Sequence, residues 1–173
     1  LKAAKRGLAE AQFFYAGLNY LGIANLEPEE VFKWRLKAAQ QGHRTAQFMV
    51  GQSYFTGEGT TQNEELAYQY LSRAADSRHP QACMYCGFLL MKGKETPHDF
   101  KQARRYLMGA LFDEEKFSTE DKGILYRLLA DVNFFADDGT QDIPQCKLFL
   151  RKAIRCGNDS AREALKDLEE RGL

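Results

Sequence analysis

The chain has 173 residues, 44% hydrophobic and 28% charged, enough to bury a continuous core amounting to roughly 70% of its unfolded surface. Lysine plus arginine and aspartate plus glutamate both number 24, so no global field selects nucleic acid, an anionic membrane or a charged ligand. The longest apolar run, around Cys86 to Met91, is interrupted by Gly87 and is far short of the ~18 residues that a membrane span requires.

Leu1 to Gly7 reads as the tail of a second helix, because Ala3 and Gly7 match Ala38 and Gly42; this predicts at least one further helix upstream in the natural protein. From there the chain repeats. Ala3, Ala38, Ala74, Ala110 and Ala153 are spaced 35, 36, 36 and 43 residues apart, a period in the range of stacked helix pairs. First helices are predicted to open near Ala11, Ala46, Ala82 and Leu125, and second helices near Glu27, Asn63, Asp99 and Asp142. Asn63, Asp99 and Asp142 can each accept an orphan amide of the first turn, and Glu27 is followed by Pro28, suited to the first helical position. The expected organisation is a single repeat domain, 1–173, with units of approximately 8–42, 43–78, 79–111 and 121–157, an acidic insertion at 112–120 and a capping helix at 158–173. In the last segment Ala161, Leu165 and Leu168 form one apolar stripe opposite acidic and basic residues, as a cap with a polar outer face requires.

Each second helix carries one aromatic, Trp34, Tyr70, Tyr106 and Phe149, expected to be largely buried. Three residues earlier stand Val31, Ala67, Ala103 and Cys146, a small-residue column that admits a neighbouring helix. Gly22, Gly57 and Gly93 occupy one column between the helices, where a left-handed residue ends the first helix; Ala136 breaks this series, so the last hairpin is expected to be the least regular.

The string Ala46-x-x-x-Val50-Gly51-x-x-Tyr54-x-x-Gly57-x-Gly59-x-x-x-Asn63-x-x-x-Ala67-x-x-Tyr70-x-x-Arg73-Ala74-Ala75 resembles the Sel1-like repeat, a relative of the tetratricopeptide repeat. The third unit keeps Ala82, Gly87, Gly93, Asp99, Ala103, Tyr106 and Ala110, and the first has Ala16 where glycine is usual. In the fourth, Leu125, Ala130, Asn133 and Asp138 replace Ala, Gly, Tyr and Gly, while Asp142, Phe149, Lys152 and Ala153 hold the pattern. The resemblance implies an all-α, right-handed α/α superhelical solenoid used as an adaptor or scaffold, and it implies no chemistry and no cofactor.

By that resemblance the first helices line a concave groove, with one column at Tyr20, Phe55, Met91 and Phe134. A turn earlier lie Phe13, Phe48, Met84 and Arg127, and between them Gly17, Gln52, Phe88 and Asp131. Tyr20, Phe48, Gln52, Phe55, Met84, Phe88, Met91, Arg127, Asp131 and Phe134 are the candidate partner-binding residues, since aromatic and methionine side chains suit a partner helix or extended peptide. The competing reading assigns the same residues to packing between repeats.

Cys83-x-x-Cys86 has a metal-binding spacing, but Cys86 replaces the core position of Val50 and Cys146 that of Ala67, so buried small hydrophobes account for both. Within the family resemblance, a disulfide-bridged branch places its second cysteine where Ala75, Leu111 and Ile154 stand here, so that pairing does not carry over. Thiols favour a reducing, cytoplasmic compartment over a secreted one. His43, His79 and His98 all fall between predicted helices, with no metal-ligand spacing and no orienting carboxylate at a recognisable distance. The expectation is a non-catalytic scaffold or adaptor with a protein or peptide partner, no metal, no nucleic acid and no membrane insertion. The alternative is an inhibitor or immunity protein that blocks a partner enzyme, with the acidic insertion as its plug.

Overall fold

The computed structural model describes residues 1–93, 98–136, 139 and 141–173. Asp138 of the degenerate fourth hairpin lies outside them. Among the described residues the chain is helical throughout, without strands, and divides into two compact units, Leu1–Ala82 and Cys83–Leu173. No helix among them is long and apolar enough to cross a membrane.

The first unit contains α1 (Lys2–Lys5), α2 (Ala9–Gly17), α3 (Pro28–Gln40), α4 (Arg44–Thr56), α5 (Glu64–Asp76) and the start of α6 (Pro80–Lys92). Consecutive helices pack as antiparallel neighbours, and small residues set the spacing. A Cβ placed on Gly51 would come within 2.6 Å of Leu71 Cγ, so only glycine lets the fully buried Leu71 of α5 reach the axis of α4. Ala38, Ala46, Val50, Ala67 and Ala74 are likewise wholly buried. Asn63 begins α5 as the sequence predicts: its side chain accepts the Leu66 N–H at 2.8 Å, while its own N–H donates to the Tyr54 carbonyl at 2.8 Å and closes the hairpin. Gly57 ends α4 with φ +83°, the left-handed conformation expected of its column.

A second capping column was not apparent in the sequence. His43 Nδ1 accepts the Ala46 N–H at 3.1 Å, and His79 Nδ1 accepts the Ala82 N–H at 3.4 Å, so both imidazoles serve as N-caps of first helices. Each ring also stacks on the aromatic of the preceding first helix, Phe13 on His43 at 4.3 Å and Phe48 on His79 at 4.4 Å. The buried Gln12 and Gln47 donate to the carbonyls of Ala4 and Ala39, satisfying the orphan end of the helix before. The cap and the stack occur at both histidines and the glutamine bond at Gln12 and Gln47, so the same local contacts set the register of the first repeats.

The second unit holds the remainder of α6, then α7 (Phe100–Leu111), a 3-10 turn (Glu114–Lys116), α8 (Thr119–Phe135), α9 (Ile143–Arg155) and α10 (Asp159–Glu170). Gly87 and Leu107 repeat the close approach of Gly51 and Leu71, and Asp99 and Asp142 cap α7 and α9 at 2.8 and 2.9 Å. The insertion is absorbed locally. Ser118 caps α8 four residues before the position equivalent to His79, which makes α8 17 residues long where α4 and α6 have 13. The 3-10 turn takes up most of the rest, pinned by the buried Phe117 and by the Tyr126 hydroxyl, which donates to Glu114 Oε2 at 2.5 Å. Ala136 ends α8 with φ −57°, outside the left-handed region, consistent with the irregularity expected there.

Two of the four predicted core aromatics are less buried than their spacing suggests. Tyr106 and Phe149 are buried, whereas Trp34 and Tyr70 are half-buried. Their outer faces are covered by cations of their own helix, Lys37 Nζ at 4.5 Å from the Trp34 ring and Arg73 at 5.4 Å from that of Tyr70. A cationic side chain three residues on takes the place of a second layer of core.

Candidate functional site

Two clefts open at the same register of the repeat, one in each unit. Each lies between a first helix, its own second helix and the next first helix. In the first unit Phe13, Phe14, Gly17, Leu18, Tyr20 and Leu21 supply one wall, with Arg35 of α3 and Met49 of α4 behind, around about 390 Å³. In the second unit Arg127, Asp131, Phe134 and Phe135 of α8, Leu150 of α9 and Ala164 of α10 occupy the corresponding positions, joined by Cys146, Asp167 and Leu168, around about 120 Å³.

α10 takes the role of a further first helix: Asn158 stands in the column of His43 and His79, and its side chain accepts the Ala161 N–H at 3.1 Å.

The ten candidate residues divide by environment. Tyr20, in the turn after α2, is 92% exposed and rims the first cleft. Phe48, Gln52 and Phe55 are half-buried on α4, where one face of Phe48 is occupied by His79, and the Phe55 carbonyl accepts from Gln62 Nε2 at 2.9 Å. On α6, Met84 is only 7% exposed and packs inside the repeat, leaving a partner little of it, while Phe88 is 36% exposed and Met91 half-buried. Arg127, Asp131 and Phe134 come together on the second cleft. Phe134 sits edge-on to Phe135 at 4.9 Å, and its carbonyl accepts from Gln141 Nε2 at 2.7 Å, repeating the Gln62–Phe55 bond.

Arg127 and Asp131 form a bidentate pair at 2.9 and 3.1 Å, and Arg127 Nη1 also donates to the Ser160 carbonyl at 3.0 Å, tying α8 to the start of α10. Burial pushes the Asp131 carboxyl above its ordinary value, an effect that Arg127 opposes without cancelling. Beneath them burial raises the Cys146 thiol to about 11, with the Asp131 carboxylate adding to the shift. Such a thiol is protonated at neutral pH and has little nucleophilic character. None of the four cysteines is in a disulfide, and no group of three or more histidine, cysteine, aspartate or glutamate side chains among the described residues is placed to hold a metal.

Arg35 went unnoticed in the sequence, although a signal was there. Its column reads Arg35, Leu71, Leu107 and Leu150, and the three leucines are fully buried. The guanidinium inherits that position at the back of the first cleft, where burial lowers its pKa and the Glu58 carboxylate partly compensates.

Comparison with known proteins agrees with this geometry. The Sel1 repeat family matches residues 9–43, 44–79, 80–107 and 126–158, and the chain belongs to it. A Sel1 repeat protein from Oxalobacter formigenes, of known crystal structure, superposes over 94% of this chain with a TM-score of 0.75 and 25% identity. The c5321 protective antigen of uropathogenic Escherichia coli, displaying an SLR fold, superposes over 99% with the same score and identity. A proposed ERAD-associated E3 ubiquitin-protein ligase component of Schizosaccharomyces pombe is 33% identical over 82 residues, 46% of this chain. The chain spans 62%, 35% and 11% of the lengths of these three proteins. The fold class is therefore the all-α solenoid of Sel1-like repeats, and Sel1 repeats are in general scaffolds for protein interaction, typically without catalysis.

Proposed function

We propose that this Sel1 repeat protein is a non-catalytic adaptor that holds a helix or peptide of a partner protein in the clefts between consecutive first helices. The observation that carries the reading is the recurrence of a cleft at one register in the first and fourth repeats, lined at Tyr20 in one and at Arg127, Asp131 and Phe134 in the other. Exposed aromatic and branched side chains at such positions supply anchors, and a net charge of zero leaves little long-range steering to assist them. The relative named as a ligase component supports a place within a larger assembly.

The inhibitor alternative has less in its favour. Its plug, the acidic insertion, is held to its own repeat by Phe117, by the Glu114–Tyr126 hydrogen bond and by a Lys116–Asp113 ion pair at 2.8 Å. The test is to isolate a stoichiometric partner with the full chain and compare Tyr20→Ala, Phe134→Ala and a variant neutralising Asp113, Glu114 and Glu115. The adaptor reading expects at least one aromatic variant to weaken binding tenfold or more, about 1.4 kcal/mol, with the neutralised variant near wild type. Loss confined to the neutralised variant, together with inhibition of the partner by the wild-type chain, would make the insertion the binding element.

A further inference from the structure

We propose that the first-repeat cleft receives an amphipathic helix of a partner protein whose apolar face carries one carboxylate side chain, and that this carboxylate pairs with Arg35. The inference rests on the adaptor reading and gives it a ligand chemistry. The cleft is three times the volume of its counterpart, and its rim is strongly apolar: Phe14, Tyr20 and Leu21 are 65%, 92% and 67% exposed. Apolar side chains clustered at one cleft mark an interaction site rather than ordinary surface. The wall begins on the last turn of α2, at Phe13 to Gly17, and continues into the turn that carries Tyr20 and Leu21, so anchors at i, i+3 or i+4, and i+7 of a partner helix meet two successive segments.

Arg35 decides what that helix must carry. It replaces the leucine of every other repeat, lines both this cleft and the smaller one beside Pro28, Ser53 and Glu58, and forms no ion pair within 4.0 Å among the described residues. Glu58 is exposed and acts on it only at longer range. A wholly apolar partner would complete the desolvation of a guanidinium that has only the longer-range Glu58 carboxylate to offset it, whereas a carboxylate one turn from the anchors would pair with it in the fork geometry that arginine favours.

The probe is a phage-displayed library of single amphipathic helices, selected on the full chain, with an enriched sequence then synthesised and titrated by calorimetry. The expected sequences combine apolar anchors at helical spacing with an aspartate or glutamate. Their affinity should fall at least tenfold on Arg35→Gln or on amidation of that acidic residue, fall no further when both changes are combined, and recover in part with Arg35→Lys. Circular dichroism and melting of each variant establish that it is folded.

Enriched helices lacking an acidic residue, or losses that simply add, would overturn the pairing and leave the adaptor reading standing. Helices sensitive to Phe88→Ala but indifferent to Phe14→Ala and Tyr20→Ala would move the site elsewhere, with the same consequence. A library yielding no binder would count against both. Sedimentation that shows the chain dimerising, with Leu21→Glu abolishing the dimer, would replace the partner helix by a second copy.

Discussion

In the first repeat Phe13, Gly17 and Tyr20 face a cleft backed by Arg35; in the fourth, Arg127, Asp131 and Phe134 face one backed by Leu150. The first cleft has one cation at its back and an aromatic wall, the fourth an ion pair on its wall and a smaller aromatic surface, while the framework around each keeps small buried residues at Ala16 and Ala130, and Val31 and Cys146. The difference teaches which positions a repeat leaves open. Columns that set helix spacing and caps are fixed by sterics and orphan amides, whereas cleft positions change both polarity and local backbone, Tyr20 lying in the turn after α2 and its equivalent Phe134 within α8. Recognition can therefore diverge from repeat to repeat on a constant framework.

The sharpest attack on this comparison is to truncate its buried member. Leu150→Ala should destabilise by about 2–5 kcal/mol in urea unfolding, the range for a buried leucine left as a cavity. A loss well under 1 kcal/mol would mean that Leu150 borders the cleft more than the core. The framework side is tested by Gly51→Ala, which forces a methyl against the immobile Leu71 and should cost about 1–3 kcal/mol.

Arg35→Leu restores the leucine of the other repeats. It should raise stability by about 0.5–2 kcal/mol, in the manner of consensus replacements, because it removes a desolvated cation. A destabilisation comparable to that of Leu150→Ala would show that Arg35 holds the fold and that the two clefts are not equivalent. The smallest effect concerns the insertion: Tyr126→Phe should cost about 0.5–1.5 kcal/mol and loosen residues 112–117 to proteolysis.

Its pH signature has a definite sign. Burial, with Glu114 adding, raises the Tyr126 hydroxyl from 10.0 to about 12. The group's contribution is thus complete below pH 10 and lost as pH rises through about 12, and Tyr126→Phe should abolish that alkaline drop in stability.

Much of this was legible in the sequence. Periodic alanines and the caps Asn63, Asp99 and Asp142 act through local chemistry, which one repeat displays as plainly as four. The Gly57 column is of the same kind. His43 and His79 were harder to read, since histidine is an uncommon cap and its role depends on stacking against a phenylalanine 30 or 31 residues earlier. The spacing of Trp34 and Tyr70 gave their face but not their depth, which depends on whether a cation or another helix covers the ring. Arg35 needed its column read across all four units, because a lone arginine on a surface helix attracts no notice. The insertion announced its acidity, while its docking through Phe117 and the extra turn of α8 depended on tertiary contacts.

All four thiols, Cys83, Cys86, Cys146 and Cys156, fall in the second unit, and only Cys156 is partly open to solvent. Alkylation followed by peptide mass analysis therefore watches that unit alone. Cys156 should react promptly, and Cys146, protonated and buried, only when α8, α9 and α10 part. The chain thus carries a native stopwatch for opening of its fourth repeat. Run with and without a bound helix, it would time whether occupation of the groove clamps that repeat shut.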